Sequence, residues 1–144
     1  MVRVVTLLCA MTLGWGMAQA QPVIERPTIH VRDLTTTVYF DYGQNELGMA
    51  GRLLVREMAA KARASGYDMA TVVGHTDRAG PDERNLQDGR ARAAAVARIL
   101  AEQGFAGSAV RVETAGESQP IRVHEDERRE PLNRRAVVVF SSTH

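Results

Sequence analysis

The segment VVGHTDRAGPDERN, Val72 to Asn85, ends an apolar, β-branched run with His75, Thr76 and Asp77 and then turns through Gly80-Pro81. A strand that stops this way sets its polar groups at an edge, where a metal, a scissile bond or a held ligand can be met. A metal would use His75 and Asp77, at i and i+2 on the strand end, with His30 or His124 as the third ligand. Two alternate residues are not a site by themselves, and no HExxH or other close-set group supplies the rest. A hydrolase would need an activated nucleophile, yet no Gly-x-Ser-x-Gly elbow occurs and the single cysteine, Cys9, lies in the N-terminal segment. The minimum set of groups for catalysis is missing. The chemistry expected of this edge is therefore holding a ligand, with no catalytic residue, no metal and no cofactor.

The elements that must position those groups follow from periodicity. TTTVYF, Thr35 to Phe40, is β-branched and aromatic enough for a strand. LGMAGRLLVREMAAKARAS spaces Leu47, Ala50, Leu54, Met58 and Ala62 along one face of an amphipathic helix. MATVVG is a second strand, and ARAAAVARILAEQG a second helix with Ala93, Val96 and Leu100 on its buried face and Gly104 at its end. SAVRVETAG reads as a third strand, the charged RVHEDERREPLN as a solvated loop and RAVVVF as the last strand. The order βαβαββ predicts an α/β fold of the α+β sandwich kind, a mixed sheet with the helices packed on it. The two crossovers favour neighbouring parallel strands, with the last strand antiparallel.

The N-terminus bears on address. MVRVVTLLCAMTLGWGMAQA has one early cation, Arg3, an apolar run without acids, and Ala18-Gln19-Ala20 in the small-x-small form that signal peptidase cleaves. Residues 1–20 are expected to be a signal peptide, with Cys9 as apolar filler, residues 21–34 a short leader and residues 35–142 the folded domain. The apolar stretch is shorter than the ~20 residues a spanning helix needs. Cleavage after Ala20 removes Cys9 and Trp15, the single cysteine and tryptophan, so an ordinary core must hold the domain together. Removing Arg3 from the 18 lysines and arginines leaves them matching the 17 acids, a balance that argues against nucleic acid. Lys61 is the sole lysine, so nearly every cation is a guanidinium.

The string Gly74-His75-Thr76-Asp77-x-x-Gly80-x-x-x-x-Asn85, followed by Arg92-Ala93, resembles the signature of the OmpA-like (OmpA/Pal C-terminal) peptidoglycan-binding domain. VYFDYGQNEL with Asp41, GESQP from Gly116 to Pro120 and NRRAVVVF from Asn133 fall in the same order, so the resemblance runs from about Thr35 to Phe140. It implies a periplasmic domain, associated with the cell wall or outer membrane, that grips the meso-diaminopimelate of the peptidoglycan stem peptide. That end group carries both an ammonium and a carboxylate. Asp77 would take the ammonium by charge-assisted hydrogen bonds, and Arg92, in the first turn of the second helix, would fork to the carboxylate with help from the positive helix end. Asn85, Asp41, Thr76 and Arg134 would complete the site. Arg134 and Arg135 are adjacent on a strand, so at most one can face the pocket. His75 stands at a position where the family tolerates His or an aromatic.

Two departures from the family pattern matter. Asp88-Gly89 replaces a usual Leu-Ser ahead of the second helix, where either residue can still serve as an N-cap, and Asp88 adds an anion close to Arg92. Ala136 replaces a common valine, which trims packing volume. The resemblance leaves a second role open, a protein-docking module of an envelope complex, with an outer-membrane or envelope-complex protein as partner. With no tryptophan after Ala20 to stack on sugar rings, the stem peptide is the expected handle on the wall rather than the glycan.

Overall fold

The computed structural model of the chain describes residues 34–123, 125 and 129–143. The expected signal peptide, nearly all of the leader, and His30 and His124 lie outside the described residues. The elements run β1 (Leu34–Tyr39), α1 (Met49–Ala64), β2 (Met69–His75), α2 (Asp82–Glu102), β3 (Val110–Gly116) and β4 (Arg135–Ser141), with short 3₁₀ turns at Gly107–Ala109 and Pro131–Asn133. The βαβαββ order and the mixed sheet are as the periodicity predicts.

The sheet order is β1-β4-β2-β3. Strands β2 and β3 pair in parallel, as expected for neighbours joined by a helix, but β1 and β2 are separated by β4, which runs antiparallel to both. That corrects the expectation of two neighbouring parallel pairs. The physical reason is the composition of β4: Ala136, Val138 and Phe140 are fully buried on one face while Val137 and Val139 are half-buried on the other. A strand apolar on both faces is better shielded in the centre of a sheet than at its edge. Thr-rich β1 takes the edge.

Val38, Ala70, Val72, Ala136, Val138 and Phe140 join Val55, Ala59, Ala62, Ala93, Val96 and Leu100 in one apolar cluster between the sheet and the helices. Helix α1 lies against β1 and α2, and α2 against β2, β3 and β4. The buried stripe of α1 is Val55, Ala59 and Ala62. Of the stripe read from the sequence, Ala62 is in it, Met58 flanks it, Leu54 is exposed and Leu47 is buried just ahead of the helix. The face is turned by about one residue because the exposed side of α1 carries Met49 and Leu53 as well as charges. Gly104 ends α2 as expected: its φ of 89° lets Phe105 N–H reach back to Leu100 O at 3.1 Å.

Helix α2 starts at Asp82, nine residues earlier than the apolar periodicity indicates, with Pro81 as its N-cap and Asp82 and Glu83 in its first turn. Asp88-Gly89 is thus not a cap but helix interior. The early half escapes an apolar reading because it faces a polar cavity and one backbone crossing. At that crossing Gly89 packs directly on Gly74 of β2: a Cβ on Gly74 would lie 1.7 Å from the Gly89 carbonyl oxygen.

Candidate functional site

A cavity of about 280 Å³ opens between the β1–α1 loop, the end of β2 and the first three turns of α2. Thr76, Asp77, Asn85, Arg92 and Arg134, five of the six residues singled out in the sequence, line it. Asp41 does not: it is exposed beside the cavity, and its carbonyl closes a turn with Gln44 N–H at 3.1 Å, while Tyr42 and Gly43 supply the lining from that loop. Arg134 lines the cavity and Arg135 does not, but Arg134 caps the Pro131–Asn133 turn ahead of β4, so the alternation along a strand expected for the two is not what separates them; Arg135 Nη2 donates to Gln119 O at 3.0 Å.

Asp77 is buried just past the end of β2. Its Oδ2 accepts from Arg134 Nη1 at 2.9 Å and from Glu130 N–H at 3.2 Å, so Oδ1 is the oxygen left for a ligand. Arg134 in turn donates from Nε to Phe40 O at 3.3 Å. Arg92 is buried and anchored twice, Nε to Gln44 O at 3.2 Å and Nη1 to His75 O at 3.0 Å, with its guanidinium 5.5 Å from the Phe40 ring centroid. Nε and one Nη1 hydrogen are thereby used, and the two Nη2 hydrogens with the second Nη1 hydrogen are what remain for an anion. Burial lowers the Arg92 pKa, while Asp88 first and Asp77 second act to raise it and Arg134 acts to lower it.

Arg92 lies well inside α2, about 15 Å along the axis from Asp82, and not in its first turn. The positive end of α2 meets the cavity at Arg84 and Asn85, so any helix-dipole contribution acts there. Asn85 Nδ2 donates to Gly80 O at 3.3 Å and to Glu117, fixing the turn after β2 against the GESQP segment. The Thr76 hydroxyl is buried on the lining without a hydrogen-bond partner among the described residues, a cost that a ligand atom would remove.

Tyr42, Arg84, Asp88 and Arg129 also line the cavity and were not among the site residues read from the sequence. The Arg129 guanidinium stacks 3.9 Å over the Tyr42 ring. Once α2 is traced back to Pro81, Arg84 and Asp88 fall at i−8 and i−4 from Arg92, a signal the sequence does contain. Arg129 sits in a charged loop that offers no such signal. Among the described residues no three His, Cys, Asp or Glu side chains are grouped to hold a metal.

His75 is buried at the strand end and its pKa is lowered to about 4, first by burial and then by the nearby Arg135 charge. The unfolded chain would bind this proton at the ordinary value of 6.5, so acidification favours unfolding between the two values. The contribution is complete above that window, falls by roughly 3 kcal/mol as pH drops through it, and levels off below. Chemical denaturation of wild type and His75→Gln from pH 7 to 4 is expected to show a shallower acid loss in the variant. Parallel profiles would refute the assignment.

Residues 39–134 match the family model described as OmpA family. The chain is 33% identical over 130 residues to the peptidoglycan-associated lipoprotein of Rhizobium meliloti (strain 1021), covering 89% of this chain and 72% of that protein. It is 27% identical over 125 residues to outer membrane protein A of Bordetella avium, covering 85% of this chain and 64% of that one. Among solved structures, the peptidoglycan-associated lipoprotein from Burkholderia pseudomallei superposes with a TM-score of 0.65 at 28% identity, covering 73% of this chain and 89% of that chain.

Proposed function

The chain belongs to the OmpA family, and from that premise we propose that it is a non-catalytic, periplasmic peptidoglycan-binding domain that holds the diaminopimelate of the stem peptide and so tethers itself to the cell wall. Asp77 Oδ1 receives the ligand's ammonium, and the free end of the Arg92 guanidinium receives the neighbouring carboxylate. Arg134 holds Asp77 in place, Asn85 fixes the turn, and the Thr76 hydroxyl gives or takes one further hydrogen bond. Asp41 acts, in this reading, from the rim of the cavity.

One observation carries the proposal. Asp77, Arg92 and Arg134 come from three different parts of the chain, are buried on one cavity, and each uses part of its hydrogen-bonding capacity on the protein itself. Groups fixed in this way keep their remaining donors and acceptors in place for a small zwitterion without an ordering cost at binding. A buried pair kept only for stability gains little over apolar packing.

The test is sedimentation of residues 21–144 with purified sacculi. Pelleting with diaminopimelate-type sacculi and not with lysine-type sacculi is expected, since lysine lacks the side-chain carboxylate that Arg92 reads. Equal pelleting with both would overturn the diaminopimelate assignment. No pelleting with either would leave a protein-docking module that retains the fold.

A further inference from the structure

Three charged side chains stand in register along α2. Arg84, Asp88 and Arg92 are spaced i, i+4, i+8, and all three line the cavity. Successive members of such a row face the same way, and its ends are separated by about 12 Å along the axis. Asp88 is fixed between them: Oδ1 accepts from Asn45 Nδ2 at 2.9 Å, and Oδ2 lies 3.7 Å from Arg84 Nε. It is also the first of the anions that act on Arg92.

The charges do not cancel. The lining carries four guanidiniums, Arg84, Arg92, Arg129 and Arg134, against two carboxylates: Asp77 pairs with Arg134 and also acts on Arg92, and Asp88 is shared between Arg84 and Arg92. With Arg92 anchored deep in the wall, the member of the row presented at the mouth is Arg84, whose side chain is 76% exposed; Asp82 and Glu83 share its first turn of α2 but do not line the cavity. Helix dipole and guanidinium there both favour an anion. The buried Thr76 hydroxyl, unpartnered among the described residues and on the facing, strand side of the same cavity, is an independent sign that the cavity receives a polar ligand.

We propose that Arg84, held by Asp88, is a second anion subsite that takes the free α-carboxylate of the residue preceding diaminopimelate in the stem peptide. This inference rests on the wall-binding reading above. The preceding residue is a γ-linked glutamate, so its α-carboxylate is a free branch on the chain, one residue away from the end group held by Asp77 and Arg92. That separation suits a row whose ends lie about 12 Å apart when both guanidiniums reach inward. Asp88 is a positioning residue: it turns the Arg84 head toward the cavity and relieves repulsion between the two arginines. The chemical class selected is a stem peptide with free carboxylates on two successive residues, in preference to one whose glutamate is amidated.

The experiment titrates residues 21–144 with two soluble tripeptides, L-Ala-γ-D-Glu-meso-diaminopimelate and the same peptide with the glutamate α-carboxylate as its amide. Wild type is expected to bind the acid about five-fold more tightly than the amide, the size of one exposed charge contact, and the preference should fade as salt is raised. Arg84→Gln should bind the two alike, at the affinity wild type has for the amide, and Arg84→Lys should keep part of the preference. Equal binding of acid and amide by wild type overturns the second subsite and leaves the wall-binding reading standing, as does a preference retained in Arg84→Gln. Failure to bind either peptide overturns both. Arg84 is exposed on the first turn, so matched melting temperatures are expected to show that the variants stay folded.

Discussion

Asp77→Ala is expected to lose both wall binding and a large part of the domain's stability, and Asp77→Asn to lose mainly the binding. The carboxylate is buried against Arg134, which has only 8% of its side chain exposed. Removing one partner of such a pair leaves an uncompensated charge, at a cost of about 3–5 kcal/mol. Against a total of roughly 5–15 kcal/mol for a domain of this size, the fall in melting temperature should be on the order of 10 °C or more. The Glu130 N–H loses its acceptor in the same step. Asparagine keeps the shape and an oxygen for Arg134 and Glu130, so its melting temperature should fall less. What it cannot supply is the anion for an ammonium, and loss of that charge-assisted contact should weaken binding by about 30-fold or more. Calorimetry and binding to diaminopimelate-type wall fragments check the two effects separately. A folded Asp77→Asn protein that binds like wild type would remove Asp77 from the ligand and leave it as a support for Arg134.

The parts of the site differ in how far the sequence discloses them. Five of the six site residues line one cavity: Thr76, Asp77 and the turn marked by Gly80 and Asn85 are local features with local causes, whereas Arg92 and Arg134 are legible only through the resemblance to the OmpA-like signature. The extent of α2 was less legible. Apolar periodicity reports the face that packs on the core, and Ala93, Val96 and Leu100 were found that way. Residues 82–92 make their contacts through charges and a bare backbone crossing, so the helix there leaves no apolar stripe to count. Asp82 and Glu83 behind Pro81 were the available start signals. Apolar periodicity alone puts Arg92 in a first turn and hides the row from Arg84 to Arg92. The central place of β4 is a different kind of gap. Its double-faced apolar character was present in RAVVVF, but pairing with β1 and β2 is a long-range choice that local pattern does not dictate.

Gly74→Ala is expected to be the most damaging single-methyl change in the domain, and Gly89→Ala a milder one at the same crossing. At Gly74 the new Cβ would meet the Gly89 carbonyl oxygen at 1.7 Å and its carbon at 2.6 Å. Those are backbone atoms that cannot rotate away, so α2 would have to retreat from β2. The retreat loosens Ala93, Val96 and Leu100, all buried on the sheet, and overpacking that moves an element costs about 3 kcal/mol or more. At Gly89 the nearest atom is the Thr114 hydroxyl at 2.4 Å, with the Gly74 oxygen at 3.0 Å. Moving that hydroxyl gives up its hydrogen bonds to Leu86 O and from Gly116 N–H, but alanine returns about 1 kcal/mol of helix propensity. The order of melting temperatures should therefore be wild type, Gly89→Ala, Gly74→Ala. Binding should follow the same order, because this crossing sets the distance between the end of β2, which carries Asp77, and the face of α2, which carries Arg92. A Gly74→Ala protein that melts and binds as wild type does would mean that helix and strand can separate without disturbing the cavity, and that something other than the glycine contact fixes the geometry of the pair.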